Sequence, residues 1–169
     1  MVEGRGNQIG DTGFNAGTNL IFGQVVLRGE ENRVVGNVFG RAVGKFLTIE
    51  PGAGPIFVQG ANNQVNGNQM FNTRVELNGA LDANVASNHF VYGFHQVWSR
   101  GSTNAVIQGN TMIRCATDTI LAERSPNIRI IGNGIGYADD FAYGTSTNEG
   151  ASGIRLVDCP LAEIGGNRE

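Results

Sequence analysis

The side chains able to cut a polymer are gathered in the last third of the chain, where Glu123, Asp139, Asp140 and Asp158 are the acid and base candidates. Glycoside hydrolysis needs two carboxyl groups, roughly 5–5.5 Å apart for retention or 6.5–9.5 Å for inversion. Asp139 and Asp140 are adjacent in sequence, and neighbours on an extended backbone point to opposite sides. Glu123 meets Asp118 or Asp158 only if successive passes of the chain lie side by side. A lyase needs a base beside a cation that neutralises a substrate carboxylate. Arg100 with Glu123, or His95 with Arg124, has that composition. Each pair is equally an ion pair on a solvated surface, worth about 0.2–1 kcal/mol. Trp98, Tyr137 and Tyr143 offer flat faces for stacking on sugar rings, with Arg100 as a polar neighbour.

Other chemistries lack their patterns. No nucleophile-elbow sequence accompanies the serines. Cys115 and Cys159 fit no metal-ligand spacing and read as free, semi-buried thiols. His89 reads as an outward turn residue and His95 as a surface one. The segment Asp139–Glu149 is acidic but lacks the EF-hand spacing. No metal and no cofactor is expected. The net charge is −3, from 12 Lys+Arg and 15 Asp+Glu, with Lys45 the single lysine. That balance argues against nucleic acid and against an anionic membrane surface. No apolar run reaches the ~18 residues of a spanning helix. Met1–Arg5 does not begin a signal peptide.

The elements that position these residues follow from a repeat. Leu27-x-Gly29-x-x-Asn32-x-Val34-x-Gly36-Asn37-x-Phe39 matches Val58-x-Gly60-x-x-Asn63-x-Val65-x-Gly67-Asn68-x-Met70. Its core is an aliphatic residue, Asn three positions on, then a large apolar residue. The core recurs as Val85/Asn88/Phe90, Ile107/Asn110/Met112 and Ile130/Asn133/Ile135, and begins again at Ile164/Asn167. A degenerate copy, Ile9/Thr12/Phe14, opens the chain. The Asn-equivalent positions 12, 37, 68, 88, 110, 133 and 167 are spaced by 25, 31, 20, 22, 23 and 34 residues. A period near 22 marks a solenoid, and the leucine-dominated consensus of leucine-rich repeats is missing. With 26 glycines and 19 asparagines, the chain turns often and disfavours long helices.

The segments Gly101–Met112 and Ser125–Asn133 resemble the repeat of the right-handed parallel β-helix, or pectin-lyase-like, family, and the resemblance covers nearly all 169 residues. It implies an all-β, single-stranded right-handed parallel β-helix of about seven short coils, with residues 1–169 as one domain. The recurring Asn is expected to take the left-handed turn conformation and to stack as an internal amide ladder. Insertions at 40–55 and 136–153 interrupt the coil. The stretch Lys45–Glu50 reads as an ordinary strand, and 136–153 carries three aromatics and three acids.

Period-two alternation sorts the strand that precedes each repeat core. Counting from the Asn, the inward pairs are Val75/Leu77, Val97/Ser99, Ile120/Ala122 and Ile154/Leu156, joined by Val25/Leu27 and Ile56/Val58. The outward column is then Val26, Phe57, Glu76, Trp98, Leu121, Arg155. Val26, Phe57, Trp98 and Leu121 form an apolar stripe on a solvated face, which suggests a subunit contact or a ligand platform. A second outward column reads Arg28, Gln59, Asn78, Arg100, Glu123, Val157.

By resemblance, enzymes on this fold act on acidic polysaccharides or hydrolyse glycosides, and they have more coils and an N-terminal capping helix. This chain is short, and its first coil begins within ten residues of Met1. The expectation is therefore a structural or adhesive module of a phage particle, of tailspike or capsid-decoration type. It would be a homotrimer through the stripe, in contact with other virion proteins and with surface polysaccharide, made in the bacterial cytoplasm and carried on the virion. The alternatives are a polysaccharide lyase or hydrolase, or a fragment of one, and a non-catalytic carbohydrate-binding module.

Overall fold

A computed structural model of the chain describes residues 1–10, 19–40, 42–43, 48–49, 54–136 and 153–167. Three parallel sheets run the length of the molecule, and the chain visits them in rotation. The first sheet holds Val2–Arg5, Val25–Glu30, Ile56–Ala61, Val75–Leu81, Val97–Arg100, Ile120–Glu123 and Ile154–Val157. The second holds Gln8–Ile9, Arg33–Val35, Gln64–Asn66, Asn84–Ala86, Val106–Gln108, Arg129–Ile131 and Glu163–Gly165. The third holds Leu20–Ile21, Val38–Phe39, Gln69–Phe71, His89–Gly93, Thr111–Cys115 and Gly134–Gly136. There is no helix among the described residues. The chain is a parallel β-helix, and seven rungs about 4.8 Å apart make a rod roughly 30 Å long.

Stacking puts like on like. Val75, Val97 and Ile120 are cross-strand neighbours, as are Val65, Val85, Ile107 and Ile130, and all are buried. Phe39, Met70, Phe90 and Met112 form the third inward column. These aliphatic and aromatic columns fill a core too narrow for anything but side chains.

The asparagines lie where the second sheet turns into the third, and they are buried. Nδ2 of Asn68 donates to Oδ1 of Asn88 at 3.0 Å, Asn88 to Asn110 at 3.0 Å, and Asn110 to Asn133 at 2.9 Å. The same Oδ1 atoms accept the backbone N–H of the preceding rung. Each Nδ2 also reaches a carbonyl behind it, as Asn110 does to Val85 O at 2.9 Å. The ladder forms, but the left-handed residue is not the asparagine. It is the residue before it: Gly36, Gly67, Ser87, Gly109, Gly132 and Gly166 all have φ between 55° and 67°. Handing the strained position to glycine leaves the asparagine in an ordinary conformation with its amide aimed inward.

The N-terminal rung differs from the sequence expectation. Ile9 does sit beside Val34, but the rung next to Asn37 is Asn19, whose Nδ2 donates to Asn37 Oδ1 at 2.9 Å. Leu20 and Ile21 then pair with Val38 and Phe39. Thr12 and Phe14 lie outside the described residues. An insertion between Ile9 and Asn19 delays the rung, so the expected fixed offset of three residues fails there.

A second ladder occupies the turn from the first sheet to the second. Asn7 donates to Asn32 Oδ1 at 3.0 Å, and Asn32 N–H to Asn63 Oδ1 at 2.8 Å. Each asparagine follows a glycine three positions earlier: Gly4, Gly29 and Gly60. A Cβ on Gly60 (φ 90°) would lie 2.0 Å from Gly29 O, so no other residue fits. After Asn63 the device changes. Asn78 and Gly79 together face Gln59 in a bulge. Serines then take over: Ser102 Oγ accepts Ala80 N–H at 3.2 Å, and Ser125 Oγ accepts Ser102 N–H at 3.3 Å.

The insertion at 40–55 contains a short strand within the stretch read as one, Lys45–Glu50. Thr48–Ile49 pairs antiparallel with Ala42–Val43 as a small hairpin, rather than joining a sheet of the coil. Most of the second insertion, 137–152, lies outside the described residues.

Replacing Asn110 by Ala removes the acceptor for two donors of Asn88 and the donor to Val85 O. The expected loss of unfolding free energy is roughly 2–3 kcal/mol, read from chemical denaturation, against almost none for the exposed control Gln108→Ala. Matching midpoints for the two variants would show that the ladder does not hold the coils together.

Candidate functional site on the first sheet

Parallel pairing lines up the outward column in register: Val26 beside Phe57, then Glu76, Trp98, Leu121 and Arg155. The apolar stripe is therefore broken. Glu76 divides it into Val26–Phe57 and Trp98–Leu121. Val26, Phe57 and Trp98 are half-buried, and Leu121, at 9% exposure, has little surface left to offer. The second column places Arg28 beside Gln59, and Arg100 beside Glu123.

Trp98 is the centre of this face. Its indole Nε1–H donates to Glu123 Oε2 at 2.9 Å. The Arg100 guanidinium lies over the ring at 4.1 Å from its centroid, and that of Arg74 at 6.0 Å. The His95 ring is tilted against it at 5.8 Å. Arg100 Nε also reaches Glu123 Oε2, at 3.4 Å. Arg74 in turn pairs with Glu76 at 2.5 Å. The result is a clamped aromatic inside a ring of paired charges.

This arrangement decides what Glu123 can do. The Trp98 N–H and the Arg100 guanidinium hold its carboxyl below the ordinary value of 4.5. A general acid needs the opposite shift. Asp118 does not join it. Asp118 lies before strand Ile120–Glu123 and Glu123 at its far end, five residues apart or roughly 16 Å along an extended chain. Asp118 instead meets Arg155 at 3.7 Å. Asp158 sits beyond the strand in an exposed left-handed turn (φ 53°), beside the level of Arg124 and not in the Trp98 cluster. His95 and Arg124 also lie at opposite ends of their strands. His95 Nδ1 contacts Asp118 O at 2.9 Å, so that nitrogen carries the proton. Asp139, Asp140, Tyr137 and Tyr143 lie outside the described residues. Of the residues singled out in the sequence, Trp98, Arg100, Glu123 and the stripe neighbours are the ones brought together.

Sequence reasoning placed Glu76 in the outward column but missed its partner Arg74, and it missed Phe94. Arg74 and Glu76 were legible as a pair two positions apart, which places both on one strand face. Phe94 gave no periodic signal, because it lies in a turn. Cys115 and Cys159 are half-buried thiols that no disulfide joins, and burial pushes the Cys115 thiol up. Among the described residues no three His, Cys, Asp or Glu side chains gather to hold a metal ion.

No family model and no curated protein matches the chain.

The carboxylate clamp has a pH signature. A depressed carboxyl contributes its stabilisation above the ordinary value and loses it as pH falls through the folded value. Emission from Trp98, the single tryptophan, is expected to hold steady above pH 4.5 and to shift on further acidification. Glu123→Gln should abolish that step. An unchanged acid transition in the variant would place its origin elsewhere.

Proposed function

We propose that this chain is a structural and adhesive β-helix module, of the kind built into phage particles, and not an enzyme. The observation that carries this reading is the pairing of the acids along the first sheet, Glu76 and Glu123 beside Trp98 and Asp118 at the strand's other end. Each is held in a pair with an arginine: Glu123 with Arg100, Glu76 with Arg74, and Asp118 with Arg155. Glu123, the acid hydrogen-bonded to the indole, is held below its ordinary range, the opposite of what a general acid needs. What remains is a rigid aromatic framed by hydrogen-bonding groups, which suits contact with a surface polysaccharide. The phage setting, with its virion location, bacterial-cytoplasmic synthesis and virion partners, rests on the resemblance of the repeats to the pectin-lyase-like family. Incubation with capsule, alginate and pectin substrates is expected to yield neither unsaturated products nor new reducing ends. Turnover abolished by Glu123→Gln would restore the enzymatic reading.

The same face supports a homotrimer. Val26 and Phe57 stack in register as half-buried apolar neighbours, set apart from Trp98 by Glu76. Burying them against copies of the chain would stabilise an assembly. The expected solution mass at micromolar concentration is that of a trimer, and Phe57→Asp should yield monomers with unchanged circular dichroism. A monomeric mass for the unaltered chain would overturn the trimer.

A further inference from the structure

We infer that the adhesive site takes an uncharged, N-acetylated sugar chain, with one acetamido group seated in the cleft beside Phe94. This rests on the adhesive reading of the Trp98 face and names its ligand.

The cleft lies where the third sheet turns back to the first. Pro55 and Phe94 supply its apolar walls, and Asn72, Arg74 and His95 its polar ones. It runs into the Trp98 cluster through two shared residues, Arg74 and His95, both of which approach the indole ring. Its volume is about 60 Å³. A water-sized occupant needs roughly 10–15 Å³ of such space, so about four non-hydrogen atoms fit. That is the size of an acetamido group, and too small for a sugar ring.

Charge selects among groups of that size. A carboxylate would need a cation to receive it, and the arginines at this face already have partners. Arg74 lies 2.5 Å from Glu76, Arg100 3.4 Å from Glu123, and Arg155 3.7 Å from Asp118. An acidic glycan must break one of these pairs or lie against its carboxylate. A cationic amine finds the arginines themselves. A neutral amide meets neither obstacle, and its methyl and N–H match the mixed lining.

The hydrogen bonding fits the amide. His95 Nδ1–H is committed to Asp118 O, with Thr117 Oγ1 at 3.1 Å as a second acceptor. In the neutral ring this leaves Nε2 as an acceptor for an amide N–H. Thr117 Oγ1 donates its own proton to Phe94 O. Cys115 Sγ donates to the same carbonyl at 2.8 Å. Phe94 is thus presented on a backbone pinned twice by the following coil, while its side chain stays 67% exposed. An exposed ring carried on a held backbone needs little main-chain ordering on binding, which favours its use as a stacking surface.

The test is calorimetric titration of the full chain with chitotetraose, cellotetraose and tetragalacturonate. Chitotetraose should bind at least about tenfold tighter than either of the others, the scale of one well-seated small group. Phe94→Ala, a change at an exposed side chain, should erase that preference and keep the circular dichroism. Trp98→Ala should weaken chitotetraose binding without restoring the other two. Equal or tighter binding of cellotetraose or tetragalacturonate would overturn the acetamido inference and leave the adhesive reading standing. Binding of none of the three removes both.

Discussion

The structure depends on a single requirement: the asparagine amides buried at the corner between the second and third sheets must find their partners in the next coil. A β-helix this thin has no second layer of secondary structure to absorb unpaired polar groups. The backbone N–H and C=O of each rung pair with the neighbouring rungs. The asparagine amides do the same at the corner, where the chain changes direction and the sheet ladder is interrupted. A lost amide there leaves partners stranded in a dry interior, which costs more than the bond itself contributes. This explains why one residue type recurs at one corner while coil lengths vary between rungs.

The requirement also fixes the outer surface. Once the corners are locked, parallel pairing puts side chains on a grid with a spacing of about 4.8 Å between rungs. Trp98, Glu123 and Arg100 come from two adjacent rungs, and Arg74 and Glu76 from the rung before. All but Arg74, which immediately precedes its strand, sit on the strands themselves. The rigidity of the core is thereby passed to the face, and the cation–π and indole contacts form between groups already held in position.

How much of this was legible in the sequence depends on distance from the ladder. The inward columns could be read because each lies at a nearly constant offset from an asparagine. The pairing of Arg100 with Glu123 followed from the same count. Asn19 could not be placed, because the insertion after Ile9 breaks the offset, although Asn19-Leu20-Ile21 carries the same polar–apolar signature. Asn7 was overlooked for another reason. Its Gly-x-x-Asn spacing repeats at Gly29/Asn32 and Gly60/Asn63, but the shared spacing was read as part of one motif, not as a corner of its own. The turns that return to the first sheet vary in length, so Phe94 and its cleft had no register to betray them. The left-handed assignment erred because asparagine tolerates that conformation; glycine tolerates it at lower cost, and the residue before each asparagine is glycine at all but Ser87.

The paired charges bear on why such a face would bind without cutting. Catalysis by carboxyls asks for two acids in different environments, one kept protonated and one ionised. Here the environments are alike. Glu76 and Glu123 each face an arginine on the same sheet, and the indole N–H adds a further donor to Glu123. The Trp98 N–H and the Arg100 guanidinium hold the Glu123 carboxyl below its ordinary range, against the smaller upward push of burial. Making this face catalytic would mean removing an arginine, and each arginine also lies against Trp98. On the adhesive reading proposed above, the contacts that would have to be given up to free Glu123 for proton transfer are the ones that keep the aromatic platform in place.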